Sequence, residues 1–137
     1  MKAVVQRVNK ATLDCDGKRI SEIEKGLVVY FGVACGDTPD KADYLAKKIA
    51  NLRIFCDENG KMNLSALQLG YSILSVSQFT LFADVSHGNR PGFTDAEEPV
   101  KANELYCYFC DKLAEQGITV KRGVFGGDMT ILQENYG

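Results

Sequence analysis

His87 is the only histidine in the 137 residues, so any Ser-His-Asp or Cys-His arrangement would have to use it. It stands in the polar loop His87-Gly-Asn-Arg-Pro-Gly92, with Ser86 the one hydroxyl beside it. An exposed loop histidine is the better reading. The cysteines are Cys15, Cys35, Cys56, Cys107 and Cys110, an odd number at irregular spacing that argues against a disulfide framework. Cys107-Tyr-Phe-Cys110 has CxxC spacing. A zinc site would need a second such pair or two histidines, and a thioredoxin-like site would put the pair at a helix N-terminus. This pair falls inside a predicted helix, where residues three apart share a face, so two half-buried core thiols are expected and no metal.

Three polar or glycine-rich segments remain. In Ser77-Gln-Phe-Thr80, read as part of a strand, Ser77 and Phe79 share one face while Gln78 and Thr80 share the other. This is either an ordinary half-exposed strand face or a pair of polar groups aimed together at a site. Gly123-Val-Phe-Gly-Gly127 carries three glycines in five residues and runs into Asp128-Met129. Such a turn lets a ligand approach the backbone closely, and it serves equally well as a plain hairpin connection. Arg90-Pro-Gly-Phe93 is either a type I or II turn or a loop that presents one aromatic ring over a pocket.

The elements that must position these segments follow from periodicity. Strands are predicted over 2–9, over 11–15 and 18–24 around the turn Asp16-Gly17, and over the continuous apolar run 27–34. A helix opens at Thr38, the predicted N-cap, with Pro39 in its first position and Ala42, Leu45, Ala46, Ile49 and Leu52 at helical spacing. Short strands are expected at 53–56 and 72–82. A second helix spans 98–116, with Val100, Leu105, Tyr108, Phe109 and Leu113 near one face and Gly117 ending it. Residues 118–122 and 129–133 close the chain as strands. The expected architecture is α+β: one domain over residues 1–137, with a barrel-like, largely antiparallel sheet and two main helices.

Composition bounds the function. With 45% hydrophobic and 25% charged residues the chain is an ordinary globular one. A net charge of −2 excludes a bulk polyanion binder, and no DNA partner is expected. The apolar run Leu27–Cys35 falls far short of the ~20 residues a bilayer requires, and Met1–Arg7 lacks a signal-peptide core. A cytoplasmic protein without a membrane partner is expected, which also suits free thiols.

Taken in order, Gln6-Arg7-Val8, Gly60-Lys-Met-Asn-Leu64, Ser77-Gln-Phe-Thr-Leu81, Arg90-Pro-Gly-Phe93, Gly123-Val-Phe-Gly-Gly-Asp-Met129 and Asn135-Tyr-Gly137 resemble the D-aminoacyl-tRNA deacylases, the D-Tyr-tRNA deacylase family, from end to end. The Ser-Gln-x-Thr signature is complete. The second signature, Asn-x-Gly-Pro-[Val/Phe]-Thr, is present as Asn135-Tyr136-Gly137. The chain is therefore expected to be cut within the Gly-cisPro motif, with Gly137 as its chiral-selectivity residue and D/L discrimination weakened.

The resemblance implies hydrolysis of the ester of D-aminoacyl-tRNA, and of glycine mischarged on a tRNA for alanine, by a homodimer with its active site at the subunit interface. It implies no cofactor. Ser77, Gln78, Phe79 and Thr80 would form the catalytic group, and the backbone N–H groups near Phe79 and Thr80 would serve as oxyanion donors. The tRNA's own adenosine 2′-OH would help to activate water. Phe125, Gly126, Gly127, Met129, Phe93 and Arg7 would bind the tRNA 3′ end. A site without histidine, metal or activated cysteine suits this chemistry, because an aminoacyl ester needs positioning more than a strong base. The competing readings are an RNA- or nucleotide-binding barrel without turnover, and a thiol hydrolase using Cys107 or Cys110.

Overall fold

The computed structural model describes residues 1–137. The first strand, β1 (Lys2–Cys15), runs unbroken for 14 residues. The strand break expected near residue 10 is instead a bulge. Val8 faces Asn135 and Lys10 faces Glu134, so Asn9 is the extra residue on β1. The bulge shifts the alternation, and Val8, Ala11 and Leu13 all reach the same interior cluster. A two-residue turn leads to β2 (Lys18–Ile23), and β3 (Gly26–Gly32) continues along β1 in the same register.

The first helix, α1 (Pro39–Ala50), is followed by the small pair β4 (Phe55–Cys56) and β5 (Met62–Leu64). Only Phe55 and Cys56 of the expected 53–56 strand pair, because Arg53 is bonded instead to the Asn63 carbonyl at 3.0 Å. The one-turn helix α2 (Ala66–Leu69) precedes β6 (Ser72–Ser77). The long helix α3 (Pro99–Glu115), β7 (Val120–Arg122) and β8 (Met129–Asn135) complete the chain.

The sheet has the order β2-β1-β3-β6-β7, with β8 on β1. The β1 pairings are antiparallel, whereas β3–β6 and β6–β7 are parallel. The sheet curls until β7 meets β2, where Ser21 Oγ donates to Arg122 O at 2.6 Å. The result is a nearly closed barrel.

As the apolar run predicts, β3 is central. Leu27, Val29 and Phe31 face the helices, while Val28 faces the barrel interior with Leu74 and Val76. The larger cluster fills the space between the sheet and the two main helices, and Phe31 stacks on Phe109 at 4.0 Å. In α1 the buried residues Ala42, Ala46, Ile49 and Ala50 form the expected stripe. In α3 the buried stripe is Ala102, Leu105, Tyr106, Phe109, Cys110 and Leu113. It is rotated from the expected face, since Val100 is 68% exposed.

Two termini differ from expectation in how they are held. Thr38 precedes α1 but makes no side-chain cap; its hydroxyl turns to Asp40. The buried Asp37 instead organises this corner, pairing with the Met1 amine and with Lys41 Nζ at 2.9 Å, and accepting the Ala34 N–H at 2.8 Å. Glu98 caps α3 by accepting from the Val100 and Lys101 N–H groups at 3.0 and 2.6 Å.

Candidate active site

A cavity of about 700 Å³ opens between the end of β6, the start of α3 and the loop from β7 to β8. That is within the usual range for a small-molecule pocket, about 300–1,000 Å³. Ser77, Gln78 and Phe79 line one side, and Phe125, Gly126, Gly127 and Met129 another. Phe31, Gly32, Phe93, Ala96, Pro99 and Tyr106 also contribute.

The first side is built where β6 stops. The Gln78 N–H donates to Phe31 O at 2.8 Å, and the chain then coils into a 3-10 turn, Phe79–Phe82. A strand through residue 82, as the sequence suggests, does not form. Gly32 is the reason. A Cβ there would stand 2.8 Å from Gln78 O and 3.0 Å from the Phe82 ring, so only glycine lets the turn close onto β3. Lys2 Nζ fixes the far end, donating to Leu81 O at 3.1 Å and lying 4.7 Å from the Phe82 ring centre.

Gln78 and Thr80 do come together, within the turn rather than on a strand face, and Gln78 Nε2 donates to Thr80 Oγ1. The N–H groups of Phe79 and Thr80 precede the turn's first internal bond, from Leu81 N–H to Gln78 O, and so have no acceptor inside it. The Phe79 ring is 56% exposed and meets Phe93 edge-on at 4.9 Å.

The glycine loop forms the second side. Gly123 N–H donates to Ser75 O at 3.0 Å, and Gly127 N–H to Val124 O at 3.1 Å. Gly126 has φ +72°, a conformation in which a side chain is strained, and a Cβ on Gly127 would stand 2.8 Å from Cys15 Sγ. Phe125 lies 6.2 Å from Tyr106, ring to ring.

The only charged residues lining the cavity are Glu97, Glu98 and Asp128. The bond from Lys101 Nζ, with those from the Glu98 and Gly36 N–H groups, holds the Glu97 carboxyl below the usual carboxylate range. Burial raises the Tyr106 phenol far above its ordinary value, and its hydroxyl donates to Ser75 O at 2.8 Å. Burial likewise pushes up the thiols of Cys15 and Cys110, so neither is an activated nucleophile. His87 and Thr80 are exposed and outside the lining. No group of three or more His, Cys, Asp or Glu side chains gathers in the chain.

Residues 4–137 match the family described as D-Tyr-tRNA(Tyr) deacylase. The chain belongs to that family. It is 50% identical over 137 residues to a D-aminoacyl-tRNA deacylase of Aquifex aeolicus (strain VF5), covering 100% of this chain and 93% of the relative. It is 51% identical to that of Geotalea daltonii (strain DSM 22248 / JCM 15807 / FRC-32), covering 100% and 91%. Among solved structures, the c-Myc DNA Unwinding Element Binding Protein superposes with a TM-score of 0.90 at 38% identity, over 98% of this chain and 91% of that one. A probable eukaryotic D-amino acid tRNA deacylase shares the fold, with a TM-score of 0.84 at 16% identity over 98% and 94%.

Within this D-Tyr-tRNA deacylase fold the residues singled out from sequence divide into two groups. Ser77, Gln78, Phe79, Phe93, Phe125, Gly126, Gly127 and Met129 meet at the cavity, while Thr80 stands behind Gln78. Arg7 and Gly137 lie elsewhere, against each other. Arg7 Nη1 donates to Ile54 O at 2.6 Å, its guanidinium lies 5.1 Å from the Tyr136 ring, and Gly137, at φ +82°, packs directly against it. Tyr136 N–H donates to Arg7 O at 3.3 Å, so the terminal segment simply continues the course of β8 along β1.

Sequence reasoning missed Gly32 and Tyr106. A glycine inside an apolar strand run was the available signal for the first. The expected stripe of the second helix shares Leu105, Phe109 and Leu113 with the buried face but stops short of Tyr106.

Proposed function

We propose that this cavity is where the chain hydrolyses the ester joining a D-amino acid to the terminal adenosine of tRNA. The observation that carries the reading is the meeting of Ser77–Phe79 with Phe125–Gly127 and Met129 at one cavity, in a member of the D-Tyr-tRNA deacylase family. Water adds to the ester carbonyl with help from the adenosine 2′-OH. The bond between the carbonyl carbon and the ribose oxygen breaks, and free amino acid and tRNA leave. The unpartnered amides of Phe79 and Thr80 receive the oxyanion, a role worth about 3 kcal/mol per donor. Ser77 and Gln78 hold that wall, and Thr80 braces Gln78.

Phe125, Gly126, Gly127 and Met129 cradle the adenine, and Phe93 covers the mouth. Three carboxylates and no cation in the lining suit the uncharged ester and its ammonium group better than phosphates. Glycine mischarged on a tRNA for alanine is a second substrate, since it has no side chain to exclude. The protein works in the cytoplasm as a homodimer whose partner subunit completes the site. An unpaired outer edge along residues 2–6 of β1, with Val4 exposed, supports this assembly.

The test compares release of D-Tyr and L-Tyr from charged tRNA by the wild type and three variants. Wild type releases D-Tyr selectively. Gln78→Ala lowers the rate by about 10-fold or more, and Phe125→Ala raises KM. His87→Ala matches wild type. Wild-type kinetics in both Gln78→Ala and Phe125→Ala would place the reaction elsewhere.

A further inference from the structure

We propose that Tyr106 is a positioning residue for this site, setting the distance between its two walls through one shared acceptor, the carbonyl oxygen of Ser75. The inference rests on the cavity being the deacylation site. Tyr106 is 3% exposed, and its ring lines the cavity between Phe31, at 6.5 Å, and Phe125, at 6.2 Å. Its hydroxyl leaves the cavity and donates to Ser75 O at 2.8 Å, and the Gly123 N–H donates to the same oxygen at 3.0 Å. A carbonyl oxygen offers two lone pairs, and here both are taken.

Three elements therefore meet at one atom: β6 from the sheet, α3, and the start of the glycine loop. Ser75 lies two residues before Ser77 on the same face of β6, and Gly123 lies two residues before Phe125. The side-chain hydroxyl of Ser75 is buried without a partner, so the junction is made by its carbonyl. Burial keeps the phenol protonated, so Tyr106 acts here as a donor and moves no proton.

Removing the phenol oxygen unties the Tyr106 ring from β6, so the ring against which Phe125 packs at 6.2 Å is no longer fixed and the glycine loop loses that support. Gln78 is anchored separately, by its N–H on Phe31 O at 2.8 Å. The wall that carries the oxyanion donors therefore keeps its geometry while the adenine cradle loosens, and binding weakens more than turnover.

The experiment is Tyr106→Phe, which retains the ring, measured on D-Tyr-tRNA and with a non-hydrolysable 3′-(D-aminoacylamido)adenosine. KM and the analogue Kd should rise about 5- to 10-fold while kcat stays within about two-fold. Amide exchange at Gly123 should speed up in the same variant. Ile49→Val, in the α1 core away from the cavity, lowers thermal stability and should leave KM unchanged. The proposal is overturned by wild-type KM and Kd in Tyr106→Phe, by a loss confined to kcat, or by the same KM rise in Ile49→Val. If Phe125→Ala also binds the analogue normally, the cavity assignment falls; if Phe125→Ala binds weakly and Tyr106→Phe does not, only the role of Tyr106 falls.

Discussion

Ser75 and Thr80 show how differently two hydroxyls five residues apart can be used. Ser75 Oγ is fully buried with no hydrogen-bond partner, an arrangement that stabilises nothing. Ser75→Ala should therefore leave the melting temperature unchanged or raise it, and a fall of several degrees would show that the hydroxyl is bonded in solution. The exposed Thr80 Oγ1 accepts from Gln78 Nε2. Its hydroxyl lies against the Gln78 side chain, outside the cavity lining. Thr80→Val keeps the shape and deletes the acceptor. A loss of up to about 10-fold in kcat/KM is expected, the equivalent of one net hydrogen bond. Substitution of the loop glycines is a poorer probe, because Gly126 needs its left-handed φ and Gly127 faces Cys15 Sγ.

At the scale of the element, the corner before α1 depends on a charge taken out of water. Burial by itself would raise the Asp37 carboxyl, but the Met1 amine, Lys41 and the Ala34 N–H together hold it below the ordinary range. The carboxylate thus stabilises the fold fully above the unfolded value of about 3.9, and this contribution is lost as pH falls through the lowered folded value. Urea unfolding should show stability dropping as the pH falls below about 4, with a shallower drop in Asp37→Asn. Asp37→Ala leaves the buried amine unpaired and should cost about 3 kcal/mol at pH 7. The corner matters for the site because Val33 and Ala96, which flank it through the Ala34–Ala96 bridge, both line the cavity.

For the whole molecule, the curled sheet leaves edges without a neighbour, namely the outer edge of β8 and part of β1. Residues 2–8 of β1 pair with β3 on one edge, and β8 covers the other edge only from Val8 onward. An open edge carrying exposed Val4, with Leu132 exposed on β8, is an invitation to association. The proposed homodimer predicts twice the monomer mass by sedimentation equilibrium at micromolar concentration. A stable monomer there, with full activity, would remove the partner subunit from the site.

Much of this protein was settled by local pattern. The apolar run that became β3, the stripe of α1, the hairpin at Asp16-Gly17 and the glycine loop all follow from periodicity and turn chemistry, and six short segments in order identified the family. Eight of the residues singled out do meet at the cavity. What local pattern could not supply was decided by packing between distant segments. The bulge at Asn9 depends on where β8 lies, and the turn at Gln78 depends on a missing Cβ at Gly32, 46 positions earlier in the chain. The face that α3 buries depends on its fit against Phe31 and Ser75, which brought Tyr106 inward and left Val100 in solvent. Arg7, a substrate contact by its motif, lies in this structure against Tyr136 and Gly137, because β8 lies antiparallel to β1 and delivers the end of the chain to it. Residue types and spacing set the chemistry that is available. Which of those groups share a cavity is a matter of non-local contact, and that information exists only once the sheet has closed and the helix has docked.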